Sequence, residues 1–412
     1  MPLVTPTACR RLLRLCVAAL CFITGLAQAA DPTAEQQYWL ELTNRFRADP
    51  QGELSKLVNF SSPGVWAPLK SNDPYVVNAL NYFGTDAATL AAQFASLTSA
   101  PALAWNGNLN VSATNYSDLM VSLDQQAHTL DGLSIPQRIV AGGYGSNWLK
   151  AGENLFAATQ NITHGHSGMV IDWGDEDGNG SAPFGTGIQN PAGHRIALLD
   201  RQFKEMGIGF QSTIIPGGNL NATGPYVVTQ HLGSRYRLDT GTYYSDAILT
   251  GSVYQDTIAA DAFYTPGEGL AGVAVNVYDD LTNTLLVSGF TNSAGGYNLS
   301  LQGLTTGITY RVEAASTGLA AQTFTLSSTI ANFGAPVVMF DNVYASFQTV
   351  PEPGSGLLCL VAGLLACSAR RRPVGSQICR RGAEGQRTQR FVSSKNSATS
   401  APLPLCGEAL PE

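Results

Sequence analysis

The chain has 412 residues, 44% hydrophobic and 13% charged, with a formal net charge of −7. That length provides for two or three domains at roughly 100–200 residues each, and its aromatic and β-branched content excludes a disordered chain. Between residues 31 and 350 about 12 Lys and Arg stand against about 26 Asp and Glu, which excludes the basic footprint of a nucleic-acid binder and fits an extracytoplasmic body that meets divalent cations.

Residues 1–30 begin with Arg10, Arg11 and Arg14, continue with an apolar run and end on Ala27-Gln28-Ala29 before Ala30. This is the order of a secretory signal peptide with its small-residue cleavage site. Cys9, Cys16 and Cys21 lie in this segment, and Cys359, Cys367, Cys379 and Cys406 lie near the other end. The body between them has no cysteine, hence neither a disulfide framework nor a Cys-based metal site.

Residues 31–240 read as the first domain. Tyr38, Leu42 and Phe46 recur at helical spacing, and Ala48-Asp49-Pro50 ends that helix. A Gly-, Asn- and Pro-rich stretch with a further helical segment leads to Ala100. Asn106-Gly107 makes a turn into a helix with Leu109, Ala113, Tyr116 and Met120 on one face. His128 follows in "QAHTLDG". Next come "AGENLF", an apolar helix around Met169–Trp173, "AGHRIALLDRQFKEMGIGF" and the strand-like "PYVVTQHLG". Helices and strands mix without regular βαβ spacing, so the fold class is α+β, with an α-β-α sandwich as the expected architecture. Gly207 and Gly209 are expected to permit close backbone packing in the central sheet.

The candidate chemistry lies in the histidines and carboxylates. Neutral imidazoles bind zinc, and carboxylates complete its shell or hold a water. The same groups serve as general acids and bases. They also form ordinary structural hydrogen bonds. No G-x-S-x-G motif is present, and the body has no cysteine nucleophile. His164 and His166 fall at the start of the helix carrying Trp173, and His231 ends a strand pattern, where a structural role is expected. Asp175, Asp177 and Asn179 alternate before Gly180, a spacing that suits calcium, but no Glu follows before Glu205, so the EF-hand pattern is incomplete. Glu205 reads as a structural carboxylate, and Arg195 as a residue that pins its helix through a carboxylate.

The order of these motifs resembles the CAP superfamily (cysteine-rich secretory, antigen 5 and pathogenesis-related proteins) in a cysteine-free bacterial form. It is carried by His128, Gly152-Glu153-Asn154-Leu155, Trp173 with acidic residues after it, Gly193-His194-Arg195, and Phe203-Lys204-Glu205-x-Gly207-x-Gly209. The resemblance implies an α-β-α sandwich whose central cleft holds two histidines and two acids. Matched motif by motif these are His128, His194, Glu153 and Glu176, with Asp172 or Asp175 as alternatives to Glu176. It implies that His128 and His194 could hold zinc.

Residues 245–347 contain alternating strands split by Gly and Asn turns, such as "GLAGVAVNVYDD" and "TYRVEAAS", which suggests a β-sandwich. They resemble the prealbumin-like, carboxypeptidase-regulatory-like modules of surface proteins, in which Asp256, Asp261 and Glu268 would stand near a calcium loop. A non-catalytic spacer is the expected role. Residues 350–373 read Val350-Pro351-Glu352-Pro353, then an apolar stretch of roughly 15 residues, then Arg370-Arg371-Arg372. This resembles a PEP-CTERM sorting signal of Gram-negative bacteria, which implies a transmembrane helix, processing by an exosortase and delivery to the cell surface or matrix. Residues 374–412 form a polar tail.

Three functions fit. The first is a surface-displayed protein whose cleft binds a divalent metal or small ligand, with cell-envelope or matrix components as partners. The second is a metal-dependent hydrolase using the same cleft, and the third a carrier of sterol or lipid.

Overall fold

The structure is a computed structural model, and it describes residues 30–59, 69, 71–177, 182–213 and 222–349. The expected signal peptide, except Ala30, lies outside the described residues, as do Asn179, the sorting signal with its membrane helix, and the polar tail. Among the described residues no helix is long and apolar enough to cross a membrane.

The first domain opens with α1 (Ala34–Ala48), whose start is a capping box: Gln36 N donates to the Thr33 hydroxyl at 3.2 Å, and Thr33 N donates to the Gln36 side chain at 2.9 Å. Helix α1 ends at Asp49 as expected, yet Asp49 at once caps α2 (Pro50–Leu57) by accepting from Gly52 N. Pro50 ends one helix and begins the next, because the first helical position needs no N–H donor. Helices α3 (Pro74–Phe83) and α4 (Ala87–Ala95) follow, each N-capped by an Asp. Strand β1 (Ala104–Trp105) leads through the Asn106 cap into α5 (Gly107–Leu123), then α6 (Ile135–Ala141) and β2 (Trp148–Thr159). The helix expected around Met169–Trp173 is α7 (Ile162–Ile171), which stops before Trp173 because Asp172 takes a left-handed φ of 60°. Helix α8 (Gly193–Leu199), β3 (Glu205–Ser212) and β4 (Tyr226–Arg235) complete the domain.

The sheet runs β1-β3-β4-β2, leaving β2 at an edge. Its register sets Gly207, His231 and Glu153 side by side, with Ile208, Gln230 and Asn154 next to them. Alternation sends the first set to one face and the second to the other. On the first face lies α5. A Cβ at Gly207 would stand 2.0 Å from Asn110 N, and one at Gly209 would stand 2.3 Å from the Ala113 carbonyl oxygen. Glycine is thus what brings β3 onto the α5 backbone. On the second face Phe156, Met206, Ile208, Val228 and Leu232 share one core with Trp39 and Phe46 of α1, Met169 and Val170 of α7, and Leu198 of α8. The sheet therefore lies between two helical layers.

The remainder is all β. Strands β5 (Arg237–Asp239) and β6 (Thr242–Ser245) form a hairpin, followed by β7 (Ile248–Gln255), β8 (Ala274–Asp279), β9 (Leu285–Phe290) and β10 (Gly296–Ser300). Then come β11 (Thr309–Ala314), β12 (Gln322–Thr325), β13 (Ser328–Asn332), β14 (Pro336–Phe340), β15 (Val343–Tyr344) and β16 (Phe347–Thr349). Sheets β10-β7-β15 and β12-β11-β8-β9 bury a common core of Leu249, Val253, Val275, Val277, Tyr297 and Val312. The β5–β6 hairpin joins β14 and β13 in a further sheet. Glu268 accepts four backbone N–H groups, from Thr257, Ile258, Ala259 and Thr265, while Asp256 accepts from Asp261 N, Ala262 N and the Gln348 amide. These carboxylates organise their own loop.

The β-module is docked on the first domain. The Asn342 amide donates to the carbonyls of Ala102 at 2.9 Å and Lys204 at 2.7 Å. The buried Lys204 ammonium donates to the carbonyls of Ser245, Asp246 and Phe340.

Candidate functional site

Glu153 leaves β2 toward α5 and meets three cationic or imidazole groups. His128, on the loop after α5, places Nδ1 2.7 Å from one carboxylate oxygen. His231, directly opposite on β4, places Nε2 2.7 Å from the other, which the Arg138 guanidinium of α6 also reaches. Arg138 is itself held by Asp131 through two contacts of 2.8 Å, donates to the His128 carbonyl at 2.9 Å and lies 3.6 Å over the Tyr116 ring. Tyr116 fixes the loop from below: its hydroxyl donates to the Ala127 carbonyl and accepts from Leu130 N at 3.1 Å. Burial alone would raise the Glu153 carboxyl, but hydrogen bonds from His128 and His231 and the Arg138 charge hold it down at about 2. Glu153 is ionised throughout the physiological range, and both of its oxygens are engaged. Because its carboxylate takes Nδ1, the other ring nitrogen of His128 is the acceptor of the neutral imidazole.

A second pair lies in the α7–α8 layer. His194 places Nδ1 2.7 Å from Asp172, whose other oxygen accepts His194 N at 2.9 Å and Arg195 N at 3.2 Å. Asp172 thereby caps α8 from across the fold, and Nε2 is the ring nitrogen that this carboxylate leaves unused. Arg195 pins the layer through the Ile171 carbonyl and the Gln93 amide instead of a carboxylate, with its guanidinium 5.1 Å over Phe94.

Of the expected cleft residues, the structure joins His128 to Glu153. It joins His194 to Asp172, the alternative acid, while Glu176 accepts Thr186 N at 2.6 Å within its own loop. The two pairs come from opposite helical layers and flank the edge strand β2. Of the calcium candidates, Asp175 is buried and accepts from Asp177 N at 3.3 Å, Asp177 is exposed, and Asn179 lies outside the described residues. Glu205 holds Asn106, Tyr144 and Arg235. Among the described residues no group of three or more His, Cys, Asp or Glu side chains is arranged to hold a metal ion.

His231, Arg138 and Asp131 were not legible as site residues. His231 enters through strand register, and the only sequence trace of Arg138 and Asp131 is their spacing of seven, which a loop and a helix convert into an ion pair.

Two more histidines are buried nearby. His166 Nε2 lies 2.9 Å from Glu53, whose carboxyl is held at about 2 against burial by His166 and Arg45. His164 is ringed by Phe156, Trp173 and Tyr75, and burial lowers its pKa to about 4. The unfolded chain takes up a proton near 6.5, and the folded one does not until about 4. The stability His164 confers is thus complete above 6.5 and declines as pH falls through that interval, by on the order of 3 kcal/mol. Denaturant midpoints between pH 4.5 and 7 should fall on acidification, and His164→Phe should flatten the curve. An unchanged slope in the variant would assign the acid sensitivity elsewhere.

Residues 40–228 match the family model described as CAP, the cysteine-rich secretory protein family. Among curated proteins none matches this sequence. Similar solved structures include an extracellular protein containing an SCP domain from Bacillus anthracis strain Ames, 21% identical, with a TM-score of 0.23 over 32% of this chain and 34% of that one. The chain thus spans about a third of that protein. The major plantain pollen allergen Pla l 1 is 17% identical, with a TM-score of 0.16 over 27% of this chain and 99% of the allergen.

Proposed function

With residues 40–228 forming a CAP domain, we propose that this is an extracellular binding protein whose ligand-facing atoms are the Nε2 nitrogens of His128 and His194. Export by the N-terminal segment and exosortase-dependent sorting by the C-terminal one belong to the same reading. The observation that carries it is the pairing of both imidazoles with a carboxylate through Nδ1 at 2.7 Å. This is the arrangement by which carboxylates orient metal-ligating histidines. In this reading a divalent metal such as zinc would be held by His128 and His194 as protein ligands, with Glu153 and Asp172 as their supports and water or substrate in the remaining positions. Bound there, zinc would act as a Lewis acid.

Binding is favoured over hydrolysis by the state of Glu153. A carboxyl at about 2 is a poor proton donor at neutral pH, and one occupied by two imidazoles and a guanidinium is a poor base. Zinc titration by calorimetry is expected to show binding that His128→Ala and His194→Ala each abolish. Asp172→Asn should weaken it about 10- to 100-fold. Unchanged affinity in both alanine variants would sink this assignment, and a hydrolytic activity lost in Glu153→Gln would restore the enzyme reading.

A further inference from the structure

The contact between the CAP domain and the β-module is built around a carboxyl that has no cation. Glu41, on α1, is 1% exposed. The Gln37 amide donates to one of its oxygens at 2.8 Å, the Tyr344 hydroxyl of β15 bonds to the other, and the Ser252 hydroxyl of β7 is a further partner. The other groups facing it from the module are the phenols of Tyr254 on β7, Tyr264 and Tyr297 on β10. Arg45, one turn along α1, is committed to Glu53 and lies 4.2 Å over the Phe263 ring. The remaining charges on this side, Glu35, Asp256, Asp261 and Glu268, are all acidic.

We propose that this interface is a proton-controlled clasp: the β-module is held tightly on the CAP domain while Glu41 is protonated and is released as Glu41 ionises. A buried carboxylate without a counter-charge is costly; the bonds from Tyr344, Gln37 and Ser252 offset part of that cost, burial outweighs them, and the protonated form is favoured in the closed interface, where its O–H turns to a neighbouring hydroxyl. Burial raises the Glu41 pKa, so the sign follows from linkage. Freed from the module, Glu41 titrates in the ordinary range near 4.5. Docking is therefore strongest below that value and weakens as pH rises through the raised one. Of the other clasp elements Asn342 is neutral throughout, whereas Lys204, lowered to about 8 by burial, begins to lose its proton toward pH 7.5, and the Glu41→Gln variant, which keeps Lys204, separates the two.

The test is hydrogen exchange of the whole protein between pH 5 and 7.5, corrected for intrinsic rates and read on residues 341–349. Protection there should fall by up to about tenfold for each pH unit above the Glu41 pKa, while the interior strand β8 keeps its protection. Glu41→Gln, which holds the same contacts without ionising, should stay protected throughout. Equal wild-type protection at both ends of the range would overturn the clasp, and so would a Glu41→Gln variant that loosens as the wild type does. If that variant does not fold, the wild-type series is read between pH 5 and 6.5, where Lys204 keeps its proton, and equal protection across that interval overturns the clasp.

Discussion

Replacing Arg138 with Met is expected to cost about 3–5 kcal/mol of folding stability, the range seen when one partner of a buried ion pair is removed. The guanidinium is 5% exposed and carries two carboxylates at once, Glu153 within the sandwich and Asp131 at its rim. It also ties down the His128 carbonyl, so its loss frees the loop that presents the histidine. Methionine fills the stem volume but offers no donor, which leaves Glu153 ionised without its guanidinium. Urea denaturation reads the loss directly. Adding Glu153→Gln should return part of it, because a neutral amide needs no counter-charge. A cost below about 1 kcal/mol for Arg138→Met would place the pair among ion pairs of marginal worth and show that the two imidazoles suffice for Glu153.

Gly207→Ala is expected to be more damaging still, with loss of folded protein or a cost beyond the usual 1–3 kcal/mol of core overpacking. The added methyl carbon would lie 2.0 Å from Asn110 N and 2.2 Å from the Leu109 carbonyl carbon. Both are helix backbone, and a backbone cannot swing aside as a side chain can. The sheet would have to lift from α5 and open the cores on both of its faces. Gly193→Ala is the control, since a Cβ there meets nothing within 4 Å and alanine favours a helix. Thermal melts of the two variants should therefore differ sharply. Near-native stability in Gly207→Ala would mean that β3 and α5 are held apart by more than this packing allows.

Local patterns were legible wherever a few neighbouring residues settle the matter. Apolar spacing marks α1 and α5, the Asn106 cap starts α5, and alternation with Gly and Asn turns marks the strands of the β-module. Pro50 misleads as a plain terminator because the same residue that cannot continue a helix is well suited to begin one. The docking of the β-module was not legible, since it depends on Asn342 and Lys204 meeting carbonyls far away in the chain.

Five motifs in order marked the domain and named His128, Glu153 and His194, because residue identity and order survive without coordinates. Which groups those residues touch was decided by the tertiary structure. His231 reaches Glu153 across 78 positions through strand register, and a one-residue slip would turn both side chains to the other face. Asp172, not Glu176, receives His194 because a left-handed residue after α7 swings its carboxylate to the start of α8, while the Glu176 carboxylate stays within its own loop. Short-range spacing determines elements; register, caps between elements and burial determine partners.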